Sequence, residues 1–123
     1  MKSGYLAFNL TEVAREEILS TYIPKFNKVV CHHITFKFGV KENEYIPDVK
    51  EARIVGYASN NDIECLVVEI EGSYNRPDGS IYHITLSHSP NAKPVDSNAL
   101  LKSSGFNFVD PLTISVIPTF NPF

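Results

Sequence analysis

The sequence predicts an α+β fold dominated by a curved antiparallel sheet. Strand-like runs rich in β-branched and aromatic residues, such as residues 29–38 and 63–70, recur along the chain and are bounded by turn residues. Helical patterns occur only near the start and near the end. The 123 residues contain no linker-like stretch or shift in composition. We therefore expect one domain that spans residues 1–123.

The N-terminal third begins with a predicted strand at residues 4–10, followed by a helix. Thr11 is a plausible N-cap, and acidic residues follow it, where the helix dipole favours negative charge. Apolar residues that include Ile18 and Tyr22 recur at helical spacing, and Pro24 ends the pattern. This pattern predicts a helix packed against the sheet.

The middle of the chain reads as strands separated by turns. Asn60-Asn61-Asp62 and Arg76-Pro77-Asp78-Gly79 have the composition of tight turns. The predicted strands are residues 29–38, 52–58, 63–70 and 80–89.

The C-terminal part predicts one short helix and two strands. The helix covers residues 98–103 and ends near Gly105. A short strand at 106–108 and a final strand at 112–117 follow, after which Pro118 and Pro122 are expected to break the chain.

Composition limits the classes of function. Hydrophobic residues make up 43% of the chain and charged residues 20%, as in ordinary globular proteins. The net charge of −3 disfavours binding to duplex nucleic acid, which depends mainly on Lys and Arg. We find neither an apolar run of membrane-spanning length nor a signal-peptide pattern. We therefore expect a cytoplasmic protein without a membrane partner, in which Cys31 and Cys65 are buried free thiols.

The tetrapeptide His-Ile-Thr-apolar occurs twice. The copies are HITF at residues 33–36 and HITL at 83–86, and their first residues lie 50 positions apart (83 − 33). Successive side chains on a strand point to opposite faces, so each copy places His and Thr on one face and two apolar residues on the other. Two such strands that face one cleft would bring two imidazoles and two hydroxyls to a small anion.

Such a cleft would suit hydrolysis of a phosphodiester. One imidazole can deprotonate the attacking water while the other protonates the departing oxygen. Threonine hydroxyls can donate hydrogen bonds to the phosphoryl oxygens. This scheme requires no metal ion and no cofactor, and no Cys or His spacing typical of a metal site occurs in the chain.

The paired motifs resemble those of the two-histidine (2H) phosphoesterase superfamily. Its members carry two H-x-[ST]-x motifs on two strands of a bilobed α+β fold, and the superfamily includes cyclic phosphodiesterases and 2′-5′ RNA ligase-like enzymes. The resemblance implies that His33 and His83 are catalytic and that Thr35 and Thr85 bind phosphate. The chain is short for the superfamily and has few helices, which suggests that one of the two lobes is trimmed.

Other side chains are weaker candidates for substrate contact. Lys37 shares the His33 face by strand parity, and Lys93 follows the second motif, so either could reach a phosphate. Tyr5 could stack on a nucleobase. His32 and His88 should face away from the cleft by parity and are interpreted as structural.

Two further residues have mainly structural interpretations. Arg76, at a turn, is interpreted chiefly as a solvated residue, with a phosphate contact as the alternative. Tyr82 has the opposite parity to His83 and is expected in the core.

The leading hypothesis is a metal-independent phosphodiesterase that hydrolyses a cyclic phosphodiester or a 2′-5′ linkage in a nucleotide or RNA end. One alternative is a viral or phage enzyme that degrades a cyclic oligonucleotide signal. Another is a non-catalytic phosphonucleotide-binding module, and the last is a structural domain with coincidental motifs. The sequence leaves the exact substrate, the scissile bond and the oligomeric state open, with a monomer as the expectation.

Overall fold

The computed structural model describes residues 2–123 and confirms an α+β fold. It contains seven strands, all paired antiparallel, and two helices. The elements are β1 (Ser3–Leu10), α1 (Glu12–Thr21), β2 (Lys28–Val29), β3 (His33–Lys41), β4 (Glu51–Ser59), β5 (Ile63–Glu69), β6 (His83–His88), α2 (Asp96–Ser104) and β7 (Asn107–Pro122).

The sheet curls into a half-barrel with the strand order β2-β6-β5-β4-β7-β1-β3. β2 and β3 lie at opposite ends of this order, although they are consecutive in the chain. The segment between them therefore crosses from one end to the other. The Cys31 N–H donates to the Thr85 carbonyl at 2.9 Å, and the His32 carbonyl accepts from the Leu10 N–H at 2.9 Å.

The crossing corrects the prediction of one continuous strand over residues 29–38. Cys31 is fully buried and has a φ of 44°, in the left-handed region that residues with a side chain seldom occupy. At this bend the pairing of β2 with β6 ends, and the pairing of β3 with β1 begins. The extended run is thus divided between two parts of the sheet, with His33 at the start of the second part.

β7 also differs from the prediction, because it is one 16-residue strand rather than two short ones. Its first half pairs with β4, and its second half pairs with β1. Pro118 and Pro122 were expected to break the chain, but they lie opposite Phe8 and Gly4 in the β1–β7 ladder. A strand that pairs along one edge only can accommodate proline, which lacks an N–H donor. β7 thereby joins the part of the sheet that contains β4 to the part that contains β1.

The two helices cover different parts of the curved sheet. Thr11 caps α1 as predicted, since its Oγ1 accepts a hydrogen bond from the Ala14 N–H at 3.1 Å. Ile18 of α1 packs in a core that also contains Ile34 and Ile84. α2 packs in a second cluster through residues that include Leu100. Within residues 2–123, neither helix is long and apolar enough to cross a membrane.

Candidate active site

The two His-Ile-Thr motifs line one cavity of about 590 Å³, which we call the histidine cleft. His33 is the first residue of β3, and His83 is the first residue of β6. The lining includes both of these histidines together with Thr35 and Thr85. The crossing at Cys31 brings β3 next to the part of the sheet that contains β6. The four side chains, two from each of two distant motifs, therefore line the same cavity.

The apolar residues of the motifs fix the direction of the polar ones. Ile34 and Ile84 are fully buried, and both belong to the core on the α1 side of the sheet. Adjacent strand residues point to opposite faces, so the neighbouring histidine and threonine side chains face away from this core. Burial of one large aliphatic side chain contributes roughly 1.5–3 kcal/mol. Hydrophobic packing therefore anchors both motifs from behind.

His33 is held in place by two aromatic neighbours. Its Nδ1 lies 2.9 Å from Nδ1 of His32, and its ring centroid lies 5.1 Å from that of Tyr5. The pKa of His33 is lowered to about 4, mainly by burial and also by positive charge on His32 and His83. The His33 imidazole is thus neutral at neutral pH, and a neutral imidazole can accept a proton.

His32 does not line the cleft, but its ring contacts that of His33, although alternation along a strand would point the two side chains in opposite directions. His32 lies before the first residue of β3 and follows the left-handed residue Cys31. Alternation of side chains applies only within a regular strand, so parity does not hold across this bend. The two rings meet edge to face, with their centroids 5.2 Å apart.

His83 is oriented by the main chain. Its Nδ1 lies 2.9 Å from the Ile81 carbonyl oxygen. A carbonyl can only accept, so in the neutral ring Nδ1 carries the proton and Nε2 carries the lone pair. Burial lowers the pKa of His83, the Ile81 hydrogen bond opposes this change, and the positive charge of Arg76 adds to it. For His33, by contrast, the Nδ1 partner is another ionisable ring.

The threonine of the second motif is bound by the segment that starts α2. The Thr85 hydroxyl lies 3.2 Å from the Pro94 carbonyl oxygen and 2.9 Å from Oγ of Ser97. Thr85 is buried and Ser97 is fully buried. Pro94 also lines the histidine cleft. Thr85 thus has a structural contact as well as a place at the cleft.

Aromatic side chains form one wall of the histidine cleft. Tyr5 and Phe38 both line it, and their rings are stacked with centroids 6.1 Å apart. Phe38 is 67% exposed, so much of its ring is open to solvent. Tyr5 therefore lies in the cleft lining, beside His33.

Lys37 is not among the residues that line the cleft, although parity placed it on the His33 face. The β1–β3 register steps from Ala7–Thr35 to Leu6–Lys37, so β3 contains one extra residue at this point. Such a bulge inverts the alternation that follows it. Phe38 faces the cleft instead, and the Lys37 ammonium lies 3.0 Å from the Glu44 carboxylate.

The candidate Lys93 and the residue His88, which parity predicts to face away from the cleft, also lie outside the cleft lining. Lys93 is exposed, and its backbone N–H donates to the Asp96 carboxylate at 2.9 Å. His88 is half-buried, and its Nδ1 lies 2.8 Å from the Ser89 carbonyl oxygen. Neither side chain lines the cavity that contains His33.

Arg76 lines the cleft, whereas its position at a turn predicts chiefly a solvated residue. The turn itself is present: the Gly79 N–H donates to the Arg76 carbonyl at 2.9 Å, and Gly79 has a φ of 89°. The Arg76 side chain, however, is only 8% exposed. The bridge between Asn75 and Ile81 folds this turn back beside the start of β6. A signal was present in the sequence, because Arg76 lies only seven positions before His83 (83 − 76), across a tight turn.

The residues of the cleft offer acid–base and hydrogen-bonding chemistry. Two imidazoles can exchange protons, hydroxyls can donate to an anion, and Arg76 supplies fixed positive charge. Within residues 2–123, no group of three or more His, Cys, Asp or Glu side chains is arranged to hold a metal ion. Cys31 and Cys65 are buried free thiols, as predicted.

Comparison with known proteins identifies a shared fold but does not show a family. No protein-family model and no curated protein matches the chain. A solved structure described as a fungal RNA kinase is similar, with a TM-score of 0.55 and 13% sequence identity. The alignment covers 99% of this chain and 43% of that one, so this chain spans less than half the length of its structural neighbour. At this identity, the similarity shows that the α+β fold is shared with part of that protein.

Proposed function

We propose that this chain is a metal-independent phosphodiesterase that hydrolyses a cyclic phosphodiester or a 2′-5′ linkage in a nucleotide or RNA end. The observation that carries the proposal is that His33, Thr35, His83 and Thr85 line the same cavity. The volume of about 590 Å³ lies in the range of small-molecule sites, roughly 300–1,000 Å³. A nucleotide is a suitable occupant of a cleft that combines aromatic, cationic and hydroxyl groups.

In the proposed reaction, the two histidines have opposite protonation states. Neutral His33 accepts a proton from water, and the water oxygen forms a bond to phosphorus. The bond from phosphorus to the leaving oxygen breaks, and protonated His83 gives its proton to that oxygen. The products are a phosphomonoester and a free hydroxyl. Transfer of the proton gained by His33 back to His83 through solvent restores the starting state.

The surroundings of the two rings support this assignment of roles. Burial lowers the pKa of both, and for His33 the pKa falls to about 4, so His33 is assigned as the neutral ring. For His83, the hydrogen bond from Nδ1–H to the Ile81 carbonyl opposes the effect of burial and favours the protonated form. An anion bound between the rings would raise the pKa of both and help His83 to hold its proton. Thr35 and Thr85 would donate to the phosphoryl oxygens, Thr85 by giving up its contact with Pro94.

Two observations favour a nucleotide or RNA end over other phosphodiesters. Tyr5 and Phe38 present an aromatic wall beside His33, which could hold a base. The structural neighbour is described as an RNA kinase, which is an enzyme that acts on RNA. The same chemistry would serve a cyclic-oligonucleotide phosphodiesterase of a virus or phage, which remains the alternative enzyme.

A substrate panel in metal-free buffer with EDTA tests this proposal. The panel contains nucleoside 2′,3′-cyclic phosphates, ADP-ribose 1″,2″-cyclic phosphate, 2′-5′ oligoadenylates and cyclic dinucleotides. We expect turnover of at least one of them. Replacement of either cleft histidine by Ala should lower the rate by about 100-fold or more, the usual contribution of a general acid or base. His88→Ala, outside the cleft, is the control for loss of an imidazole.

The same panel separates the alternatives. Preference for cyclic dinucleotides would identify the anti-signalling enzyme, and tight binding without turnover would identify the non-catalytic module. A chain that neither binds nor cleaves any of these compounds between pH 4 and pH 8 would contradict the proposal.

A further inference from the structure

The Arg76 side chain has an unusual environment for a charged group. It is only 8% exposed, and its buried Nε has no hydrogen-bond partner among residues 2–123. Its ion-pair partner is Asp78, whose Oδ2 lies 3.5 Å from Nη2 of Arg76. Asp78 is itself 61% exposed, so this ion pair is long and well solvated on one side. Compensation of the buried guanidinium by the protein is therefore weak.

A buried charge is costly unless it is paired and hydrogen-bonded. Lysine can lose its proton when buried, but the arginine guanidinium stays protonated and has five N–H donors to satisfy. A protein that keeps an incompletely paired arginine in a cleft gives up stability at that position. The arrangement is explained if an anion from outside the protein completes the pairing.

The placement of Arg76 identifies the region in which that anion would bind. Arg76 lines the same cavity as His83 and Thr85. Its positive charge is among the causes that lower the pKa of His83, after burial. The turn that carries it is rigidly held, because the Arg76 N–H donates to the Ser80 carbonyl at 2.6 Å, and Asp78 accepts from Ser80 at 2.9 Å and 2.6 Å. The backbone from which the guanidinium extends is thus held within its own turn.

We propose that Arg76 is the anionic-ligand anchor of the histidine cleft and binds the phosphate oxygens of the substrate through its guanidinium. The Asp78 carboxylate then pairs weakly with the guanidinium in the absence of ligand, and the phosphate of the substrate replaces it on binding. The planar fork of arginine suits phosphate, since two N–H groups can donate to two oxygens at once. The inference deepens and rests on the proposed phosphodiesterase function, but the binding that it predicts does not require turnover.

Calorimetric titration of the intact chain tests the proposal with two probes, adenosine 3′-monophosphate and adenosine. The wild-type chain should bind the monophosphate more tightly than the nucleoside. Arg76→Met should weaken monophosphate binding by about 10- to 100-fold, the usual range for hydrogen bonds to a charged group. Adenosine binding should change little. Arg53→Met is the matched control, because Arg53 forms an exposed ion pair with Glu69 and does not line the cleft.

Asp78→Asn provides an independent and opposite result. Asparagine keeps an oxygen that can accept from Ser80 but removes the competing negative charge beside Arg76. We therefore expect this variant to bind the monophosphate a few-fold more tightly than the wild type. If Arg76→Met does not fold, Arg76→Lys and Asp78→Asn decide the question, since Lys keeps the charge but loses the two-pronged contact and should bind more weakly.

Equal affinity of wild type and Arg76→Met for the monophosphate would overturn the proposal, as would weaker binding by Asp78→Asn. A structural role for Arg76 predicts that Arg76→Met lowers the unfolding temperature and affects both probes alike, and that result would also overturn it. Failure of the substrate panel would contradict the phosphodiesterase while leaving phosphate binding by Arg76 measurable. The two failures are thus distinguishable.

Discussion

Replacement of His33 by Asn should make the protein less sensitive to acid. The pKa of His33 falls from 6.5 to about 4 on folding, mainly because the ring is buried. Between these two values, the unfolded state binds the proton and the folded state does not. The free energy of unfolding therefore decreases as the pH falls through this window, and the loss is complete below about 4. Above 6.5 both states are neutral, and this contribution to stability is fully present.

The size of the effect follows from the pKa difference. The difference of about 2.5 in pKa (6.5 − 4) corresponds to about 3.4 kcal/mol, at about 1.36 kcal/mol for each pKa unit. His33 is half-buried, and solvent screening reduces this value to about 2–3 kcal/mol. Asparagine does not titrate, so the variant lacks this loss.

Urea denaturation followed by circular dichroism at pH 7 and at pH 4 measures the effect. Carboxylates contribute to acid denaturation in both proteins, so the useful quantity is the difference between wild type and variant at each pH. We expect this difference to move by about 2–3 kcal/mol in favour of His33→Asn between pH 7 and pH 4. Parallel stability curves for the two proteins would refute the reasoning, because they would mean that folding does not alter the proton affinity of His33.

Two further predictions concern residues around the cleft. His32→Ala should lower the rate of phosphodiester hydrolysis by about 10-fold and shift the acidic limb of its pH profile, because Nδ1 of His33 loses its partner at 2.9 Å. His32→Asn retains a hydrogen-bond donor and should recover part of the rate. An unchanged pH profile in His32→Ala would contradict this role. Glu64→Gln should lower the free energy of unfolding by about 2 kcal/mol, because the fully buried carboxylate accepts hydrogen bonds from the Tyr57 hydroxyl at 2.6 Å and from the Ser87 hydroxyl. Denaturant unfolding measures this change. A variant as stable as the wild type would show that these hydrogen bonds contribute little to stability. In the same variant, spectrophotometric titration should show that the pKa of Tyr57, about 12 in the native protein because of burial and the Glu64 hydrogen bond, moves towards its ordinary value.

The sequence predicts the fold class and the motifs because these depend on local patterns. β-branched runs, the cap at Thr11 and the Arg76–Gly79 turn are each decided within a few residues. The shared face of His33 and Thr35 follows from alternation over three residues. Each of these features is independent of how distant strands pair.

Features that depend on how distant strands pair cannot be predicted from local sequence patterns. The bulge that moves Phe38 rather than Lys37 to the cleft arises from the register between β1 and β3. The contact between His32 and His33 depends on the left-handed backbone at Cys31, a conformation that cysteine does not signal. The burial of Arg76 likewise depends on a hairpin folding back against β6, not on the composition of its turn.

The central claim is that the two imidazoles act in the same chemical step, and a double-variant cycle on kcat tests it most directly. Rates for His33→Ala, His83→Ala and the double variant are compared with wild type on the substrate that the panel identifies. Groups that act as a unit have non-additive effects, so the double variant should be about as slow as either single variant. Losses that multiply in the double variant, or a single variant with the wild-type rate, would show that the two histidines do not cooperate in one reaction.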